Sequence, residues 1–170
     1  MGGLRPDRWC ASVLVLSPQE LAARGVRAVL LDLDNTLQAR DEQRVGPAVA
    51  AWVAAVQREG IACCLVSNSG KPRVKAAAEA LGMPVVQNAF KPLARGYRQA
   101  CQLLGVRPGQ CVMVGDQSYT DVLGAHRAGM QAVMVQPLCG IDPFWTHVLR
   151  RVDAWAVRGM QLEEPPAAGE

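Results

Sequence analysis

The sequence lacks an apolar run long enough to cross a bilayer, so no membrane-spanning helix is expected. Its apolar stretch nearest the start, Ala11 to Leu16, follows Asp7 and is too short for a signal peptide. Pro6 stands where a myristoylation motif needs Ser or Thr, so Gly2 is not an expected lipidation site. Aromatic residues make up only 5% of the chain, which points to an aliphatic interior. A strong charge of one sign is also missing. The formal net charge is +3, too mild for a nucleic-acid binder, and no nucleic-acid partner is expected, though anionic membrane surfaces stay open. The six cysteines form no CxxC pair and have no zinc-like spacing with the two histidines. Most sit in apolar runs and read as reduced core residues of an intracellular protein. Lysine is scarce as well: only Lys71, Lys75 and Lys91 accompany the arginines.

What is present suits one domain. The chain has 170 residues and is half apolar, enough to bury a sizeable core. Ser17-Pro18-Gln19-Glu20 reads as a capping box that opens a short helix, closed by Gly25. Val26 to Leu31 and Ile61 to Val66 are short continuous apolar runs, as buried parallel strands require, and Cys111 to Val114 and Ala132 to Val135 read as strands too. Val85-Val86 is a brief one. Helices are expected from Pro47 to Gly60, from Pro72 to Leu81, after Pro92 to near Gly105, and from Tyr119 to Ala128. A last helix from Asp142-Pro143 would carry Phe144, Trp145, Val148, Leu149, Val152 and Trp155. From Leu162 onward the chain reads as a frayed tail. Strands alternating with helices imply an α/β fold with a parallel central sheet covered on both faces, and chemistry at the carboxyl ends of the strands.

Four groups of polar residues fall at such ends. Asp32 and Asp34 follow the first core strand; in phosphoryl transfer one carboxylate of a pair acts as nucleophile and the other moves a proton. Ser67 ends the next strand, with the Asn68 backbone N–H beside it, and both can meet a phosphoryl oxygen. Lys91 can offset the phosphoryl charge and brace Asp32. Gly115-Asp116 and Asp121 add two carboxylates to an oxygen-rich shell of the kind magnesium prefers. Singly, each has an ordinary reading: a solvated turn, a polar turn, a surface lysine, a first-turn helix acid. Their order and shared placement select the catalytic one.

In that order, Asp32-x-Asp34-x-Thr36, strand-end Ser67, Lys91 and Gly115-Asp116 with Asp121 resemble the four motifs of the haloacid dehalogenase superfamily. A receiver domain carries its acids, Thr and Lys in a different order. The resemblance covers about Val26 to Val135. Asp32-Leu33-Asp34-Asn35-Thr36-Leu37, Lys91-Pro92 and Gly115-Asp116-Gln117 through Thr120-Asp121 are similar to the subclass III phosphatases of the YqeG type, a group that includes phosphatidylglycerophosphatases. The resemblance implies a Rossmann-like three-layer fold and a phosphatase using Mg2+. It implies that Asp32 is the nucleophile and Asp34 the acid and base, that Ser67, Asn68 and Lys91 hold phosphate, and that Thr36 and Asp121 support the site. It also implies that Asp32, the Asp34 carbonyl and Asp116 bind the metal.

The gaps from Asp34 to Ser67 and from Lys91 to Asp116 have no room for a cap domain, so a capless, open site is expected. An open site suits a phosphate on something large. The expected partner is a phosphorylated substrate, with a lipid headgroup leading. A soluble metabolite, a phosphoprotein, a nucleic-acid end, or an interaction role in ribosome assembly are the alternatives. Trp9 with Arg5 and Arg8, and the Phe144–Trp155 segment with Arg150 and Arg151, are candidates for peripheral membrane contact; the alternative is that the apolar stripe packs the last helix on the sheet. A cytoplasmic location, peripheral at the inner membrane surface, is the matching expectation, and oligomerisation stays open.

Overall fold

The structure, a computed structural model, describes residues 3–139 and 146–165. Six parallel strands form one sheet in the order β1-β6-β5-β2-β3-β4. They are β1 (Arg8–Cys10), β2 (Ala28–Leu31), β3 (Ala62–Val66), β4 (Val85–Val86), β5 (Cys111–Gly115) and β6 (Gln131–Val135). The helices between them are α1 (Pro18–Ala23), α2 (Pro47–Arg58), α3 (Pro72–Ala80), α4 (Ala94–Leu104), α5 (Leu123–Ala128) and α6 (Thr146–Ala156).

The continuous apolar runs follow from burial on both faces of the sheet. In β2, Val29 and Leu31 pack into the layer built with α1, α2 and α3, while Ala28 and Leu30 face the layer of α4 and α5. Strands β3, β5 and β6 alternate in the same way. Pro47 stands at the first helical position of α2, whose buried face is Trp52, Val53 and Val56. The Trp52 indole donates to the Leu16 carbonyl at 2.7 Å, so its polar edge is satisfied as it is buried. Ser17 accepts from the Glu20 N–H and caps α1 as its sequence suggests. The chain runs outward from β2 through β3 and β4 and then returns to the other side of β2 as β5, so the strand order reverses there and a crevice opens at the carboxyl end of β2.

Three features differ from the sequence-based expectation. The edge strand β1 was not foreseen: Arg-Trp-Cys has no strand pattern of its own, and it is held by parallel pairing with Val133 to Val135 of β6. Leu162 and Glu163, expected in a frayed tail, are not frayed: Glu163 exchanges backbone hydrogen bonds with Trp9 and Ala11 and pairs with Arg8, and the rest of that expectation, residues 166–170, lies outside the described residues. The helix expected from Tyr119 opens with one π turn, Ser118–Val122, before α5 begins. Wide turns of this kind are frequent at functional sites.

Candidate active site

Backbone pairing continues past the end of β2 and sets the first carboxylate. The Asp32 N–H donates to the Val114 carbonyl at 2.9 Å, which lays Asp32 beside the exit of β5. The chain then folds back tightly: the N–H groups of Thr36, Leu37 and Gln38 all point to the Leu33 carbonyl, and Asn35 N–H reaches Gln38 O at 2.8 Å. Asn35 takes a left-handed φ of 63°, which asparagine tolerates better than most residues. Thr36 is buried beneath this loop, and its hydroxyl has no hydrogen-bond partner among the described residues. Asp34 projects from the loop and pairs with Arg73 at the start of α3.

Lys91 lies at the centre. Its side chain is 4% exposed, and its ammonium donates to Asp32 Oδ1 at 2.6 Å and to Asp121 Oδ1 at 2.7 Å. Its backbone is clamped from β3: Asn68 Oδ1 accepts from the Lys91 N–H at 2.7 Å, and Asn68 Nδ2 donates to the Lys91 carbonyl at 3.2 Å. The Asn68 side chain therefore positions the lysine, while among the described residues its own backbone N–H has no intramolecular acceptor. Ser67 is buried at the strand end, and its hydroxyl accepts from the Ser69 N–H.

At the exit of β5, Gly115 is required by a close approach. A Cβ there would stand 2.3 Å from the Asp121 carboxyl carbon. The π turn brings Asp121 into that space, and Tyr97 of α4 holds the turn by donating its hydroxyl hydrogen to the Thr120 carbonyl at 2.7 Å. Asp116 meets a residue from outside the expected motifs. Arg150 of α6 donates to Asp116 Oδ2 at 2.8 Å and to the Asp116 carbonyl at 3.1 Å. Arg150 also pairs with Asp153, whose Oδ1 accepts from both the N–H and the hydroxyl of Ser118.

This pairing revises the expectation for α6. Arg150 is turned inward against Asp116, so it is not part of a lipid-facing surface in this conformation. Of the apolar stripe, Trp155 is 63% exposed while Leu149 and Val152 are half-buried, and Asp153, Ala156 and, just beyond, Val157 are buried. Phe144 and Trp145, and the side chains of His147 and Val148, lie outside the described residues. Trp9 packs against the core, Arg8 is engaged by Glu163, and Arg5 donates to the Arg158 carbonyl.

Carboxylates crowd the strand ends. Asp32, Asp116, Asp121 and Asp153 are all buried and face two cations, Lys91 and Arg150. In these ion pairs four carboxylates share two cations. Burial pushes Asp116 up to about 7, with Asp32 and Asp121 adding to the rise and Arg150 opposing it. Burial likewise pushes Asp121 up to about 6, against the pull of Lys91. Burial works against the Lys91 ammonium, but Asp121 and Asp32 outweigh it and hold the group above its ordinary value. A divalent ion would relieve the same crowding of carboxylates without protons. Asp32, Asp116 and Asp121 each offer a carboxylate oxygen, and these atoms lie within 4.8 Å of one another. Three hard oxygen donors fit a hard divalent metal.

Asp32, Asp34, Ser67, Asn68, Lys91 and Asp116 line one cavity of 540 Å3, with Asp121 and Thr36 behind it. The sequence reading missed Arg73, Asn68 as a clamp, Tyr97, Arg150 and Asp153. Only Asn68 carried a local signal, its place beside Ser67 at a strand end; the others reach the site through contacts distant in sequence.

A parallel sheet with paired carboxylates at the end of its central strand, a buried lysine and two more acids at the next strand end defines a phosphoryl-transferring α/β hydrolase. The chain belongs to the haloacid dehalogenase-like hydrolases, whose family pattern matches residues 7–129, and it is a phosphatase of that type. It is 34% identical over 148 residues to the probable phosphatase YqeG of Bacillus subtilis (strain 168), covering 87% of this chain and 86% of that one. It is also 34% identical over 162 residues to phosphatidylglycerophosphate phosphatase 1, chloroplastic, of Chlamydomonas reinhardtii. That match covers 87% of this chain but only 59% of the algal protein. The crystal structure of a HAD phosphatase from Thermococcus onnurineus shares the fold, with a TM-score of 0.57 at 20% identity over 70% of this chain and 90% of that one. As the spacing suggested, the fold is α/β with an all-parallel sheet and, among the described residues, no large cap.

Proposed function

We propose that this chain hydrolyses phosphomonoesters with Mg2+ through an aspartyl phosphate on Asp32, and that its substrate is phosphatidylglycerophosphate. The observation that carries the reaction is the Asp32–Lys91–Asp121 arrangement beside Asp116 at the strand ends. Lys91 fixes one oxygen of Asp32 and places a positive charge beside it. Asp32 attacks phosphorus in line, forming its acyl phosphate bond as the bond to the leaving oxygen breaks. Asp34 gives that oxygen its proton. Asp34 then takes a proton from water, which attacks the acyl phosphate, releases inorganic phosphate and restores Asp32. Ser67 and the Asn68 N–H hold phosphoryl oxygens, and Thr36 and Asp121 support the loop and the acid cluster. Mg2+, held by Asp32, the Asp34 carbonyl and Asp116, supplies charge neutralisation at the phosphoryl group.

The substrate reading is supported by the algal relative and by the surface around the site. No helix among the described residues is long and apolar enough to cross a membrane. Yet Phe90 is 67% exposed and Leu93 58%, flanking Lys91, and Tyr119 is 45% exposed beside Asp121. These side chains sit on the loops that carry the site and offer an apolar rim to a lipid surface. The deciding assay is phosphate release from phosphatidylglycerophosphate in mixed micelles, with Mg2+ or EDTA, beside a panel of soluble phosphomonoesters and an Asp32→Asn control. Mg2+-dependent release from the lipid, well above the panel and lost in the variant, is the expected result. Release from the panel alone would reject the lipid, and no release at all would reject the reaction.

A further inference from the structure

Asp34 carries both proton transfers of the proposed reaction, yet one of its two oxygens is already engaged. Arg73 pairs with Oδ1 through Nη2, and Oδ1 is buried. No hydrogen bond reaches that oxygen among the described residues, so the charge of the guanidinium is what meets it. The Asp34 side chain as a whole is 22% exposed and lines the cavity, which leaves Oδ2 as the oxygen open to it.

Arg73 is held where it stands. It is the second residue of α3, after Pro72 and before the fully buried Val74. The loop leading to it is tied to the chain that follows β4. Ser69 Oγ accepts from the Lys71 N–H at 3.2 Å, and Gln87 Nε2 donates to the Lys71 carbonyl at 3.1 Å. Gly70 lies close against Asn88, where a Cβ would stand 2.9 Å from Asn88 Oδ1. The Arg73 side chain also shares the wall of an apolar pocket between α2 and α3 with Ala77 and Leu81, which restricts the paths open to its guanidinium.

Resting on the proposed phosphatase reaction, we infer that Arg73 is a positioning residue for Asp34: it holds Oδ1 and so assigns both proton transfers to Oδ2. A guanidinium offers donors only, so the oxygen that faces it is not the one that carries a proton. In the first step the Oδ2–H bond breaks and its proton passes to the leaving oxygen, as that oxygen parts from phosphorus and Asp32 bonds to it. In the second, Oδ2 takes a proton from the water whose oxygen bonds to phosphorus as the acyl phosphate bond breaks. Arg73 gives up nothing in either step. A carboxyl group free to turn would present either oxygen, and fixing it removes unproductive orientations.

The test uses the full chain with Mg2+ and three esters. One is p-nitrophenyl phosphate, whose leaving group departs without a proton; n-propyl phosphate and phosphatidylglycerophosphate leave as alkoxides that need one. The quantity read is kcat/KM, which covers the steps up to departure of the alcohol. Arg73→Gln is expected to lower it by about tenfold or more for the alkyl esters and by less than about threefold for the nitrophenyl ester. Turnover of the nitrophenyl ester shows at the same time that the variant is folded. Asp34→Asn should show the same selectivity with a larger loss. Arg73→Lys, which can still place one donor on Oδ1, should recover most of the alkyl activity. An equal fall on all three esters would overturn the assignment and mark Arg73 as a structural or phosphate-binding side chain. Unchanged alkyl turnover in Arg73→Gln would overturn it as well, as would Arg73→Lys no better than Arg73→Gln. If the wild type turns over the lipid alone, the two variants are compared on it, and a loss that lysine does not recover overturns the assignment. A wild type inactive on all three esters would instead reject the phosphatase reading beneath it.

Discussion

Two cation bridges organise the site, and they are built differently. Lys91 lies between Asp32 and Asp121, at 2.6 and 2.7 Å, on a loop clamped by Asn68 at the middle of the sheet. Arg150 lies between Asp116 and Asp153, at 2.8 and 3.4 Å, on the last helix of the chain. The side chain of Lys91 is 4% exposed and that of Arg150 is 21% exposed. Water and salt screen the second bridge more than the first, so its electrostatic worth is smaller. The difference teaches that the lysine bridge belongs to the frame of the fold, whereas the arginine bridge is an adjustment laid over it.

The comparison is broken most severely at Lys91. Lys91→Met leaves Asp32 and Asp121 buried together without their cation. Removing one partner from a buried bridge costs about 3–5 kcal/mol, which lowers the melting temperature by about 10 °C. Turnover should fall by about a hundredfold or more, because Asp32, the proposed nucleophile, loses the cation that fixes it. Thermal unfolding and phosphate release check both effects. A variant as stable and active as the wild type would show that the lysine bridge is not part of the frame.

Next in size is the response of the metal-free protein to pH. Asp116 and Asp121 are raised in the folded state, to about 7 and about 6, above the unfolded carboxylate value. Their contribution to stability is therefore fully present below the unfolded value and is lost as pH rises through about 6 and 7. With EDTA, the melting temperature attributable to these groups should be lower at about pH 8 than at about pH 5, by several degrees. Added Mg2+ should recover more at the higher pH, where fewer protons must be displaced. Replacing both acids by asparagine removes these two groups from the titration and should flatten that part of the dependence.

Arg150→Met sharpens the contrast from the other side. With the guanidinium gone, Asp116 holds its proton more tightly and competes less well for a cation. If Asp116 is a metal ligand as proposed, a partner one step behind it is worth about 10–100-fold in affinity, and the exposure of Arg150 places the expected loss near the lower figure. The loss should be greater at about pH 6 than at about pH 8, since the proton is the competitor. Titration calorimetry with Mg2+ reads this without turnover. A loss of equal size at both pH values would mean that Arg150 acts by seating α6, not through Asp116.

The two bridges also mark what could be foreseen from residues alone. Asp32, Ser67 and Asp116 follow buried apolar runs, so their placement at one sheet end came with the α/β pattern, and Lys91 and Asp121 followed by their order. The expected boundaries of β2 through β6 fell within about two residues of those observed, because double-sided burial demands those runs. Arg150 and Asp153 carried no such mark: on an exposed helix an Arg–Asp pair looks like ordinary surface, and only the docking of α6 turns it inward. Strand β1 and Glu163 depend in the same way on partners far along the chain. The π turn adds a residue to a helix whose composition is unremarkable, and its cause, the space left by Gly115 for Asp121, is tertiary.

The smallest effect tests how the frame holds Asp121 on the lysine side. Tyr97 is fully buried, its ring lies against Gly124, and its hydroxyl donates to the Thr120 carbonyl one residue before Asp121. Tyr97→Phe keeps the ring and removes one hydrogen bond, at a cost of about 1 kcal/mol, or about 3 °C in melting temperature. Because Asp121 is also held by Lys91 and by the Gln117 N–H, its carboxylate should stay in place and Mg2+ affinity should change by less than about threefold. If the affinity instead fell as far as in Arg150→Met, the π turn would be held chiefly by Tyr97. The lysine bridge would then be as adjustable as the arginine one, and the distinction between frame and overlay would fail.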